Sequence, residues 1–144
     1  MKLFRIIMVV IIVLLAGILT VTACQDIASP LQDYTWVLMS YSEVGKTIDA
    51  LPGVEVTAFF SSKDETVSGN AGCNSYGGRY KLDLMNLTFP GPLTTTLMAC
   101  SEAINQQESE YLKILQSAQS FEMDHGNLII HCGQKTIKFK RKAP

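Results

Sequence analysis

The sequence predicts an α+β fold, mainly β, of about seven short strands and one helix. Three observations carry that prediction. Apolar and polar residues alternate with a period of two in "YTWVLMSYS" (34–42), "VEVTAFFSS" (54–62) and "RYKLDL" (79–84). Turn-forming residues punctuate these runs, as in "SSKDE" and the glycine-asparagine stretch "VSGNAGCNSYGGRY" (67–80). A single segment, "SEAINQQESEYLKILQSA" (101–118), has helical spacing instead.

The 144 residues are enough for one domain with a core. The first element is not part of that core. Lys2 and Arg5 precede an uncharged apolar run from Ile6 to Ala23, the pattern of an export signal over residues 1–23. "VTAC" (21–24) resembles the lipobox of bacterial lipoproteins, which implies that Cys24 is lipidated and becomes the new N-terminus. An uncleaved membrane anchor is the alternative, because the apolar run reaches the lower limit of what spans a bilayer. Both place the rest of the chain outside the cytoplasm. Lipid attachment with more than one acyl chain makes the anchor stable.

"QDIASPLQ" has no period and contains Pro30, so residues 24–32 read as the lipidated end and a tether, and 33–144 as the domain. The strand at 34–42 puts Trp36 and Leu38 on one face, and "GKTIDALPG" follows as a loop. Val54, Val56, Ala58 and Phe60 share the inward face of the next strand, and another begins at Thr66. Tyr80, Leu82 and Leu84 are expected to face one way. "NLTF" makes a short strand that lies at an edge or ends at Pro90. In the helix Ile104, Tyr111, Leu115 and Ala118 line one face, with Ser101 as N-cap. "FEMDHGNLIIHCGQKTIKFK" closes the chain, with turns at Gly126-Asn127 and at Gly133-Gln134, the second a two-residue hairpin.

Composition narrows the chemistry. Without Lys2 and Arg5 the chain has 10 basic and 13 acidic residues, a formal charge of -3, which offers nucleic acid nothing. Lys135, Lys138, Lys140, Arg141 and Lys142 cluster at the end and read as edge protection of the last strand, with contact to anionic head groups as the alternative. The cysteines Cys24, Cys73, Cys100 and Cys132 lack the close pairing of a zinc site, so no metal and no cofactor is expected. A cysteine nucleophile would need His125 or His131 as base. The first reads as a solvated turn residue and the second as an ordinary strand residue, so no catalytic residue is assigned. An acidic pair converging in space stays open. Export permits a disulfide, and Cys73 with Cys100, each beside turn or cap residues, is the favoured pair, while Cys132 reads as a buried small hydrophobe.

In order, "YTWVL", "SGNAGCNSYGGRY", "TTTLMAC", "ESEYLKIL" and "NLIIHCGQKTIKF" resemble the META domain family, which includes the HslJ-like heat-shock-inducible envelope proteins. The motif falls on Gly72, Cys73, Asn74, Tyr76, Gly78, Tyr80, Thr96 and Cys100. Cys132 and the prolines flanking Gly91 depart from it, and Cys132 is an alternative partner for Cys73. The resemblance implies an antiparallel, partly closed β-sheet wrapped around one α-helix, similar to the pilotins of secretion systems. The motif residues have structural explanations: positive φ at Gly72, Gly77 and Gly78, local hydrogen bonding by Asn74, and core coverage by the rings of Tyr76 and Tyr80, so they read as a structural clasp, with a binding site as the alternative.

The expected function is that of a non-catalytic cell-envelope lipoprotein with a binding or stress-response role. It would act as a monomer, attached to the membrane through the lipid on Cys24, with an envelope protein or a lipid as ligand. A pilotin-like chaperone with an apolar groove beside the helix is one alternative, and an unrecognised envelope hydrolase the other. Gln25 follows Cys24 where an aspartate commonly retains lipoproteins at the inner membrane, so a host with two membranes would place the protein at the outer one.

Overall fold

The computed structural model describes residues 29–43 and 45–143. The signal segment and Cys24 lie outside the described residues. Along the described chain run β1 (Thr35–Glu43), β2 (Lys46–Asp49), β3 (Thr57–Ser61), β4 (Thr66–Asn70), β5 (Ser75–Arg79), β6 (Lys81–Asp83), β7 (Asn86–Thr88), β8 (Thr94–Thr95), α1 (Glu102–Gln116), β9 (Ser120–Asp124), β10 (Asn127–Cys132) and β11 (Lys135–Arg141). The strands pair antiparallel in one curled sheet, in the order β6, β7, β9, β10, β11, β1, β3, β4, β5, β8. β2 folds back on the second half of β1, Glu43 opposite Lys46.

The α+β, mainly β class stands, with a single helix among the described residues, but the strand count corrects the expectation of about seven. β2, inside what reads as a loop, and the two-residue β8 are too short to show a period. β5, "SYGGR", is hidden by glycines, which are poor strand formers. The stretch 67–80 is therefore a hairpin, β4 and β5, around the tight turn 71–74, and not a long loop.

The inner face buries Trp36, Leu38, Val56, Ala58, Phe60, Val67, Leu128, Ile130, Ile137 and Phe139. α1 packs its stripe of Tyr111, Ile114 and Leu115 into the curl. A bulge at Met39 shifts the β1 register between Leu38 and Ser40, so Tyr41 also turns inward. Leu31 is fully buried and its carbonyl accepts a hydrogen bond from Trp36 Nε1 at 2.8 Å, so the end of the expected tether is part of the core.

Three local expectations are corrected. β11 is not an edge strand: it lies between β10 and β1, with Lys138 and Lys140 on its outer face and Lys135 on the face it shares with Cys132, Ile137 and Phe139. Lys138, and Lys142 just past the strand, meet Asp124 and Glu55 in exposed pairs each worth about 0–1 kcal/mol, while the half-buried Lys135 meets Glu43. Leu84 turns outward with φ 54° in the β6–β7 turn and is 85% exposed. Ser101 is the N-cap, as expected, with the extended cap backbone but no side-chain cap bond; Asn105 bonds the carbonyl of Cys100 at 3.1 Å. The turn before β10 is formed by His125 and Gly126, both at positive φ, one residue earlier than expected. The Gly133-Gln134 hairpin stands as expected, Cys132 opposite Lys135.

Candidate functional site

The motif residues converge where the β4–β5 turn, the segment after β8 and one face of α1 meet. Asn70 Oδ1 accepts from Gly72 N at 2.6 Å, and Ala71 N donates to the carbonyl of Asn74 at 2.7 Å, which closes the turn. Gly72 has φ 117°, a conformation side chains rarely adopt, and a Cβ there would lie 3.1 Å from Val54. Cys73 and Cys100 form a disulfide with Cα atoms 6.1 Å apart, tying the turn to the residue that leads into the helix.

Asn74, 4% exposed, is the hub. Its Oδ1 accepts from Met98 N at 2.7 Å and from Thr96 Oγ1 at 2.9 Å. Its Nδ2 donates to the Met98 carbonyl at 3.2 Å and to Glu108 Oε1 at 2.7 Å. Glu108 Oε2 takes Asn74 N at 2.7 Å and Cys73 N at 3.2 Å. The four-way bonding of Asn74 is long-range, not the local bonding that the sequence suggests. Glu108 is the residue missed by sequence reasoning. Its signal is its place on the Ile104, Tyr111, Leu115 stripe, where a carboxylate must find donors to be tolerated.

Tyr76 and Tyr80 do cover the core. Tyr76 donates to the Thr57 carbonyl at 3.0 Å and meets the hydroxyl of Tyr111 at 2.6 Å. Tyr80 donates to the Ser61 carbonyl at 2.9 Å and accepts from Gln32 Nε2 at 2.6 Å. Burial pushes the phenols of Tyr76 and Tyr111 well above their usual range. A phenol with a raised folded pKa contributes full stability below its unfolded value near 10 and loses it as pH rises further. Ultraviolet difference titration should therefore show these two tyrosines silent until the protein unfolds in alkali.

Gly77 and Gly78 lie in β5 without positive φ, which corrects that part of the expectation. At Gly78 a Cβ would lie 2.7 Å from Leu93 Cδ2, the end of a side chain that has to move to admit it. Cys132 is free and buried beneath α1, its thiol pushed up to about 12 by burial, so it is poorly suited as a nucleophile. Among the described residues no group of three His, Cys, Asp or Glu side chains could hold a metal, and no helix is long and apolar enough to cross a membrane.

The half-barrel closed over one helix by a disulfide and an Asn74–Glu108 clasp defines a small structural class, and comparison gives its family. The chain belongs to the META domain family, whose model matches residues 29–144. Among solved structures, one described as the NMR structure of the protein from Burkholderia xenovorans is 30% identical, with TM-score 0.66, covering 81% of this chain and 90% of that one. A second NMR structure is 25% identical with TM-score 0.58, covering 78% and 93%. A duf4847 family protein from Bacteroides vulgatus shares the fold at 13% identity and TM-score 0.55, covering 79% and 96%. No curated protein matches the chain.

Loss of the disulfide is expected to be costly. The loop of 27 residues corresponds to about 3.5 kcal/mol in the chain-entropy account. Paired Cys73→Ser and Cys100→Ser substitutions should lower the urea midpoint accordingly without changing the far-ultraviolet circular dichroism.

Proposed function

We propose that this protein is a non-catalytic cell-envelope lipoprotein, exported, lipidated on Cys24, and acting by binding an envelope protein or lipid, with a role in the stress response. The observation that carries this reading is the direction of the motif's polar atoms. Asn74, Glu108, Tyr76 and Tyr80 turn theirs on the fold, leaving no activated nucleophile or free acid-base pair among them. A hydrolase built on the motif would need Glu108 as a base, yet it already accepts three hydrogen bonds. Binding is favoured by what the clasp displays: Leu97 is 96% exposed and Met98 is exposed beside it, above a shallow 400 Å³ depression.

The pilotin-like alternative has its own observation. A 390 Å³ pocket beside the C-terminal half of α1 has Ile114 and Cys132 among its lining, with Lys113 and Lys135 at its sides. Its apolar floor and basic rim suit the end of an acyl chain.

The test is peptide mapping of the protein extracted from the membrane fraction of its native host. A diacylglyceryl mass on an N-terminal Cys24 is the expected result, and an unmodified Cys24 still joined to residues 1–23 contradicts the anchor. Titration of a fluorescent fatty acid into the same material separates the readings, since saturable binding abolished by Ile114→Lys supports the pilotin-like one.

A further inference from the structure

The chain is tied to the half-barrel from Ser29 onward. The Ser29 carbonyl accepts from Gln32 N at 3.0 Å, Leu31 is fully buried, and Asp33 Oδ1 accepts from Ser62 N at 3.0 Å. From Cys24 to Ser29 the chain can reach about 17 Å at full extension. The apolar run ends at Ala23, so a lipid on Cys24 and an uncleaved anchor both leave the membrane at the same point of the chain. The end of the half-barrel where Leu31 to Tyr34 enter therefore stays beside the bilayer surface.

That end carries a cation laid on aromatic rings. Arg141 stands opposite Trp36 in the β1–β11 pairing, and its guanidinium carbon lies 3.5 Å from the centre of the Tyr34 ring and 5.6 Å from that of Trp36. Tyr34 is 40% exposed, Arg141 is exposed, and among the described residues Arg141 has no ion pair with a carboxylate. Stacking holds the guanidinium in place while its N–H groups remain available. Lys63 in the β3–β4 turn is offset by Asp64 and Glu65 beside it, so this end offers one directed contact and not a broad positive field.

We propose that this end docks on the head-group layer of the membrane, with Arg141 donating to a lipid phosphate and the Tyr34 ring lying at the interface. A guanidinium matches a phosphate with two parallel N–H bonds, and a tyrosine places its ring and its hydroxyl on either side of the boundary between tails and water. The short tether makes a weak contact sufficient, since it holds Arg141 at an effective phosphate concentration on the order of millimolar or more. The inference rests on the reading that the segment up to Cys24 attaches the domain to a membrane, and it fixes how the domain sits there. Leu84 and the Gly133-Gln134 hairpin, level with the far end of β11, face away from the bilayer. The pocket lined by Gln134 and Lys135 then opens to the aqueous side.

The experiment is an NMR measurement on isotope-labelled full-length protein in nanodiscs of phosphatidylethanolamine and phosphatidylglycerol, with and without a gadolinium chelate on a fraction of the head groups. The two ends of β11 are about 17 Å apart at about 3.3 Å per residue, so the amides of Tyr34 and Arg141 should broaden about fivefold or more beyond those of Leu84 and Gly133. A domain swinging on its tether also keeps its entry end nearer, so the change on substitution carries the test. Arg141→Glu and, separately, Tyr34→Ala should each at least halve the ratio, and Arg141→Lys should keep most of it. Both side chains are exposed, and unchanged dispersion of the core amides checks that the variants are folded. Equal broadening of the two ends, stronger broadening at Leu84, or a ratio that neither Arg141→Glu nor Tyr34→Ala alters overturns the proposal and leaves this end to a protein partner. Peptide mapping of the same samples separates the two readings. An unmodified Cys24 still joined to residues 1–23, with the ratio and its loss on substitution intact, upholds the docking and overturns the lipoprotein; a lipidated Cys24 with equal broadening does the reverse.

Discussion

Asn74→Asp is expected to destabilise the protein by about 3–5 kcal/mol, although it exchanges a single NH2 for oxygen. Asn74 Nδ2 donates to Glu108 Oε1 and to the Met98 carbonyl, while Oδ1 accepts from Met98 N and Thr96 Oγ1. In the variant one oxygen still meets its donors. The other faces a carbonyl and the Glu108 carboxylate with no proton to offer, and a like-charge contact replaces a bond. Urea denaturation at neutral pH should show the full loss. Acidification should recover part of it, because protonating either carboxylate restores a donor. A variant as stable as the parent at neutral pH would mean that the Asn74 contacts do not hold the site together.

Gly69→Ala should cost about 3 kcal/mol or more. A Cβ at Gly69 would stand 2.0 Å from the Thr57 carbonyl oxygen and 2.8 Å from its carbon, both backbone atoms that cannot step aside without parting β3 from β4. Gly77→Ala, one hairpin partner away, meets only the Val67 carbonyl oxygen at 3.5 Å and is expected to be nearly neutral. Gly78→Ala meets a movable leucine side chain at 2.7 Å and should fall between the two. Thermal unfolding of the three variants side by side checks the ranking. Equal midpoints would show that close backbone approach is not what glycine provides here.

The parts of this fold that are legible in the sequence are those where one physical signal dominates. Trp36, Leu38, Ala58 and Phe60 alternate cleanly because they line a single inner face, and Tyr111 and Leu115 keep helical spacing because α1 has one buried side. Tyr41 escapes the alternation because the bulge at Met39 re-aims it. The last strand's place in the sheet is hidden because lysines on the outer face of a central strand look the same as lysines guarding an edge.

At the site, Cys73 and Cys100 are recognisable from their flanking turn and cap residues, and Asn74 from the family motif. What is missed is what the motif touches. Glu108 and Gln107 are polar residues on or beside the helix's buried stripe, and that misplacement is itself the readable signal. Gly69 is another such case, a glycine inside a strand pattern that marks close backbone approach. The partners that explain these residues, Cys73, Asn74, Leu51 and Thr57, are remote in sequence, and no local period encodes them.

The motif acts as a clasp between the β4–β5 turn and the helix. A double-mutant cycle with Asn74→Ala and Glu108→Ala, measured by urea denaturation with the disulfide intact, tests it most directly. The predicted result is a coupling of about 1.5–3 kcal/mol, because either substitution alone already removes the one charge-assisted bond the two side chains share, Asn74 Nδ2 to Glu108 Oε1. Additive effects, or single variants with unchanged stability, would contradict the clasp and return these side chains to the search for a catalytic role.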